Sequence, residues 1–204
     1  VVADPVFSSD DPRVATRSVP ASAARAEPRI ASASLQRLPA TGREAAALAD
    51  LFPTDRRLVA TGLAANRALV TSGRLAPYSI LHFATHGVFD GEYPLLSGLS
   101  LSRIDDAGRA IDGFFGIYDA HDLALSASLV VLSGCETALG RHMRAEGLVG
   151  LTHGFLYAGV PRVVASLWRV PERATVELMT AFYEALIDDR LSPAQALAVA
   201  QDRL

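Results

Sequence analysis

At 204 residues and 50% hydrophobic, the chain carries enough apolar material to bury a full core as one domain, with no need of disulfides or a structural metal. Its net charge is only -3 and its 19 cationic side chains are all arginine, scattered along the chain, so no electrostatic footprint for nucleic acid appears. The absence of lysine excludes a Walker-type phosphate loop, a Schiff-base enzyme and a Ser-Lys hydrolase.

A single cysteine cannot form an internal disulfide, and no N-x-S/T acceptor is present, so a reducing cytoplasm is the expected compartment. The start, Val1-Val2-Ala3-Asp4-Pro5, does not read as a signal peptide. Apolar runs fall well short of the roughly 18 residues a membrane span requires, so no membrane partner is expected.

Val1 to Ala3 reads as the end of a first strand, and Ser8 to Pro39, rich in Ser, Ala, Pro and Arg, as a long loop. Thr41-Gly42-Arg43-Glu44 has the T-x-x-E form of a capping box and predicts a helix over Ala45 to Leu51. A strand over Arg57 to Thr61 and a helix over Ala64 to Ser72, stopped by Gly73, give βαβ-like spacing. Tyr78 to Thr85 is apolar on both parities except at His82, the pattern of a parallel strand covered on both faces. Ser128 to Ser133 and Arg162 to Trp168 repeat it.

Between these last two, Leu148, Leu151, Phe155 and Leu156 give Glu146 to Ala158 a sheet-packing helix, ended by Gly159 and Pro161, in a right-handed crossover. Pro171 opens a helix through Glu172 to Ile187, and Ser192-Pro193 caps a final helix in which Leu204 lies. The expected fold is α/β: three layers, with helices on both sides of a mostly parallel central sheet.

Ligand sites in such sheets form beyond the carboxyl ends of the strands. His86-Gly87 ends one buried strand there, and Cys135 follows Leu132-Ser133-Gly134 at the end of the next. The histidine precedes the cysteine by 49 residues, close to the roughly 50 found in caspases. A thiol becomes a strong nucleophile as thiolate, and a nearby imidazole can take its proton and later give one to the leaving amine. The backbone N–H groups of Gly87 and Cys135 are the candidate oxyanion hole.

His82-Phe83-Ala84-Thr85-His86-Gly87, Leu132-Ser133-Gly134-Cys135-Glu136-Thr137-Ala138, Glu146-Gly147-Leu148, Phe155-Leu156-Tyr157-Ala158-Gly159 and Ala165-Ser166-Leu167-Trp168 occur in order. Together they resemble the CHAT domain family, which is similar to caspases, separases and gingipains and is commonly fused to tetratricopeptide repeats that sense a partner. The resemblance implies a caspase-like cysteine endopeptidase spanning residues 1–204 as one domain. It puts the catalytic histidine on His86 and the catalytic cysteine on Cys135, with a protein or peptide substrate, no cofactor and a tetratricopeptide-repeat or other sensor region as partner. Family members usually extend beyond both ends, so the chain reads as a fragment lacking terminal elements. The competing reading is a catalytically silent protein-interaction scaffold of the same fold.

His82 and His86 share a strand face but lack the helix and glutamate of a zincin, so no metal is expected and His82 reads as core packing. His121, His142 and His153 read as surface or helix-packing residues, His121 as a rim contact at most, and Trp168 as packing. The stretch from Asp90 to Asp122 is dense in acidic residues, most of them read as solvated loop charges. Asp90 and Asp119 are the candidates for favouring a basic side chain before the scissile bond.

Overall fold

A computed structural model describes residues 1–14, 35–88, 93–133, 144–166 and 171–204. In chain order the elements are β1 (Val2–Pro5), α1 (Pro39–Asp50), β2 (Ala60–Gly62), α2 (Arg67–Thr71), β3 (Ile80–Ala84), β4 (Gly87–Val88), β5 (Gly98–Ser100) and β6 (Phe114–Gly116). They continue with α3 (Ile117–His121), β7 (Leu129–Ser133), α4 (Arg144–Tyr157), β8 (Val163–Ala165), α5 (Glu172–Ile187) and α6 (Pro193–Asp202).

Five strands form one sheet in the order β2-β1-β3-β7-β8, and every pair in it is parallel. The chain runs outward from β1 to β2, returns to β3 on the other side of β1, and then continues to β7 and β8. The order therefore reverses between β1 and β3.

Two of the three both-parity apolar runs become strands buried on both faces, while the third, Arg162 to Trp168, gives β8, last in the strand order and only half-buried over Val163–Ala165. All five residues of β7 are buried, as are Leu81 to Ala84 of β3. On one face Leu81, Phe83, Val130 and Leu132 pack with Leu148, Leu151 and Phe155 of α4. The rings of Phe83, Phe115 and Phe155 meet there with centroids 5.8–6.2 Å apart. On the other face Leu129 and Val131 pack with Met179, Phe182 and Tyr183 of α5 and with Ala196 and Ala200 of α6. Ala45 of α1 sits against Ala3 and Ala84, small side chains that let the helix lie close over β1 and β3. Each large apolar side chain so buried contributes about 1.5–3 kcal/mol.

Several helix ends lie where their punctuation predicts. Ser192 caps α6 with Gln195 completing a capping box, Pro171 is the N-cap of α5, and α4 runs up to Gly159, which adopts a left-handed φ of 93°.

The predicted capping box is a correction. α1 begins at Pro39, not after Thr41, because a proline at the first helical position has its φ already set and no N–H to lose. Thr41 is inside the helix: its hydroxyl donates to Leu38 O at 2.7 Å and accepts the Asp4 N–H at 3.0 Å. Glu44 turns inward instead of capping. Its Oε1 accepts the Ser133 hydroxyl at 2.6 Å and lies 3.0 Å from His82 Nε2, off the axis of a hydrogen bond. His82 Nδ1 is 3.1 Å from the Tyr183 hydroxyl, whose pKa burial and the Glu44 charge push upward, so the phenol stays neutral. Thr41 and Glu44 thus make tertiary contacts at a spacing that mimics a local signal.

A second correction concerns the acidic stretch. It holds β5, β6 and the helix α3, and with β4 just ahead of it completes a small antiparallel sheet, whose strands of two or three residues are too short to announce by alternation. Asp106 and Asp122 are exposed, as a solvated charge should be, while three other described carboxylates close local turns. Asp105 accepts from the backbone of Ala107 and Arg109, Asp112 from Phe114, and Asp119 from Gly116 at the start of α3. Among the described residues no helix is long and apolar enough to cross a membrane.

Glu44→Ala removes a buried carboxylate that faces both β3 and β7, leaving the Ser133 hydroxyl without its acceptor. The expected loss is about 1–3 kcal/mol of unfolding free energy, read from the urea midpoint at constant slope. An unchanged midpoint would show that this carboxylate does not hold α1 to the sheet.

Candidate active site

The carboxyl ends of β1 and β3 diverge at the point where strand order reverses, which is where an open parallel sheet forms its crevice. Beyond β1, Val6 stays fixed by Ser102 Oγ at 2.9 Å and by the Arg103 N–H at 2.8 Å, and Phe7 follows. Beyond β3 come Thr85 and His86. The Thr85 hydroxyl donates to Ser100 O at 2.5 Å, and Ser100 N–H donates to His86 O at 2.9 Å, so β5 pins this backbone from the side.

The imidazole of His86 is only 4% exposed and leans on the Phe7 ring at 5.2 Å. Its Nε2 lies 2.7 Å from the backbone carbonyl of Gln36. A carbonyl only accepts, so Nε2 carries the hydrogen, and in the neutral ring Nδ1 keeps its lone pair. Gly87 faces Leu99 across the β4–β5 pair, with the ladder's hydrogen bonds passing through its neighbours. Its own N–H is therefore turned away from β5.

Close by, at the end of β1, Asp4 gathers three segments. It is 5% exposed and adopts a left-handed φ of 45°, unusual for a residue with a side chain and more so before proline. Arg37 grips the Asp4 carboxylate with both arms of its fork, Nε to Oδ1 at 3.0 Å and Nη2 to Oδ2 at 2.7 Å. This hydrogen bonding raises the arginine's pKa. Arg13 Nη1 reaches Asp4 Oδ2 at 3.0 Å and Asp4 O at 2.8 Å, while its Nε and Nη2 grip Asp11 and hold that carboxyl below its usual pKa.

Of the residues singled out in the sequence, His86 and Gly87 lie together at this crevice. Cys135 and Asp90 lie outside the described residues, as do His142 and Trp168. β7 is described as far as Ser133, two residues before Cys135, and runs parallel beside β3. Asp119 sits on α3, where its carboxylate accepts from Gly116 N–H and pairs with Arg67. His82 is buried in the core beside Glu44 and Tyr183. His121 stacks on Tyr157 at 4.3 Å at the surface.

Gln36, Phe7, Asp4 and Arg37 gave no signal in sequence reading. Gln36 contributes a main-chain carbonyl, which any residue supplies, and Asp4 and Arg37 are 33 positions apart, on either side of most of the predicted long loop. The only local hint is an Asp-Pro pair at the end of a strand. A cavity of about 270 Å³ lies at the opposite, amino end of β1 and β3, lined by Val2, Leu48, Phe52, Ile80 and Tyr183. Among the described residues no group of three or more His, Cys, Asp or Glu side chains is arranged to hold a metal ion.

Comparison with known proteins gives a family-wide match and a local one. The profile of the CHAT domain covers residues 1–204. Tetratricopeptide repeat protein 28 of Mus musculus is 47% identical over 70 residues, and its Homo sapiens counterpart 39% over 70 residues. Each alignment covers 34% of this chain and 3% of the relative, so the chain matches only a small part of either. The full-length profile match, on a parallel sheet flanked by helices with its His-Gly at the crevice, establishes that the chain belongs to the CHAT domain family, whose fold is caspase-like and which is related to peptidases.

Proposed function

We propose that the chain is a cysteine endopeptidase in which Cys135 is the nucleophile and His86 the general base. The observation that carries this reading is the register of β3 against β7. Every residue of β3, from Ile80 to Ala84, faces the residue 49 positions later, from Leu129 to Ser133. Cys135 follows His86 by the same 49 positions. His86 and Cys135 each come two residues after a paired position, Ala84 and Ser133, so in this reading both leave neighbouring strands at the same level of the sheet. His82 and Ser133 both turn toward Glu44 on the α1 face, and in the sequence His86 and Cys135 follow them at even spacings.

The chemistry follows from the tautomer. With Nε2–H tied to Gln36 O, Nδ1 of His86 takes the Cys135 proton, and the thiolate attacks the peptide carbonyl. The oxygen that gains the negative charge is held by the N–H groups of Gly87 and Cys135. Collapse expels the amine, which takes its proton from His86. Water, activated by the same ring, then hydrolyses the acyl-enzyme, and no cofactor enters the cycle.

His86 is nearly covered, so a peptide must displace whatever shields it. This supports a site kept closed until a partner opens it. A tetratricopeptide-repeat or other sensor region is the proposed gate, in keeping with the names of the relatives. Asp119 already holds Arg67, so a preference for a basic side chain before the scissile bond rests mainly on Asp90.

Cys135→Ala and His86→Ala are each expected to abolish peptide cleavage while leaving the thermal midpoint within a few degrees; retained cleavage in either would refute the dyad. A peptide electrophile that fails to label Cys135 in the partner-activated protein would favour the silent scaffold. A positional peptide library is expected to enrich arginine or lysine before the cleaved bond, with Asp90→Asn relaxing that preference more than Asp119→Asn. Enrichment of acidic or apolar residues would sink the assignment.

A further inference from the structure

We infer that the Asp4–Arg37 pair is a positioning device for His86, fixing the carbonyl that selects the tautomer and plane of its ring. The inference rests on the reading of His86 as general base and extends it to residues that touch neither substrate nor thiol.

The link is one peptide plane. The Gln36 carbonyl that accepts the His86 Nε2–H belongs to the peptide unit whose nitrogen is that of Arg37. A planar peptide turns as a unit, so whatever fixes residue 37 fixes the direction of that carbonyl. Arg37 is held by a two-pronged contact with Asp4, which fixes orientation as well as distance. The segment is gripped again just downstream. Leu38 is buried, and Thr41 Oγ1 bridges Leu38 O and the Asp4 N–H. Gly42 leaves the space this needs, since a Cβ there would lie 3.1 Å from Asp4 Oδ2.

A role in stability alone does not account for the arrangement. The Arg37 side chain is 43% exposed, so solvent screens its share of the pair even though the Asp4 carboxylate is buried. Asp4 meanwhile keeps a strained left-handed backbone and a buried carboxylate beside the crevice. Strain of this kind persists where the surrounding structure holds a functional geometry in place. Arg13 supplies the second cation on the Asp4 carboxylate, leaving Arg37 in its fork.

The test uses the full chain with 15N-labelled histidine, comparing wild type with Asp4→Asn, Arg37→Lys and Arg37→Ala. Asparagine tolerates the left-handed backbone, so Asp4→Asn removes charge while keeping the conformation. Lysine keeps the charge and removes the fork. Long-range 1H–15N correlation of the neutral rings is expected to show His86 as the Nε2–H tautomer in wild type and as a mixture in all three variants. Iodoacetamide should alkylate Cys135 about tenfold more slowly in the variants, the scale of effect expected for a group that orients another, with thermal midpoints changed by only a few degrees.

A single unchanged tautomer in the variants would overturn the inference, as would full rescue by Arg37→Lys, which would reduce the pair to a charge effect. The underlying reading fails separately. If His86→Ala left Cys135 alkylation at the wild-type rate, the dyad would fall, while the ring spectra would still report on the Asp4–Arg37 contact.

Discussion

The parallel pairing of β3 with β7 is the constraint on which the other features rest. Both strands are buried on both faces, so neither can shift without moving side chains out of two packed layers at once. Their five-residue register is unbroken, and it sets the phase of everything that leaves their carboxyl ends. Phe83 and Leu132 commit one face to α4, and Leu129 and Val131 commit the other to α5 and α6. Once those helices are seated, the loops after the strands have fixed starting points and directions.

The polar groups divide by depth along this frame. Near the middle of the sheet, Glu44, His82, Ser133 and Tyr183 cluster away from water, Ser133 bonding Glu44 and Tyr183 lying at hydrogen-bond distance from His82 Nδ1. At the carboxyl ends, Asp4, Arg13, Arg37 and Asp11 form a partly exposed cluster beside His86. Helix α1 joins the two levels. Thr41 on its first turn bonds the Asp4 backbone, and Glu44, almost one turn on, enters the core. The crevice is therefore anchored through α1 as well as through the strands that open it.

Strands such as β3 and β7 were legible in the sequence because burial on both faces leaves a continuous apolar run, and few other environments do. Helices α4 to α6 were legible from their punctuation, Gly159, Pro171 and Ser192-Pro193. His86 was legible because its neighbour is glycine and it ends a buried run. Harder to see were groups that act through the main chain or across long separations: the Gln36 carbonyl, the fork of Arg37 on Asp4, and the hydroxyl of Thr41. Thr41 and Glu44 misled for a physical reason. The spacing that lets two side chains meet around a helix start also sets two side chains almost one turn apart toward a strand, and sequence alone does not distinguish the uses. The sheet of β4, β5 and β6 was hidden because strands of two or three residues are too short to show a period.

The buried Glu44 also bears on how the chain finds this fold. Before the helices are seated, a run such as Leu129-Val130-Val131-Leu132 presents apolar side chains to both faces even one or two residues out of step, so its pattern alone does not select the register. A slip of one residue would put Ser133 on the opposite face and set leucine or glycine against the carboxylate. A slip of two would carry the hydroxyl about 6.6 Å along the strand, out of reach. Either alternative leaves a buried acceptor without its donor, at a cost of about 1–3 kcal/mol or more for a charged group. The carboxylate thus acts as a key against misregistered sheets, adding a polar penalty to the packing that holds the native register.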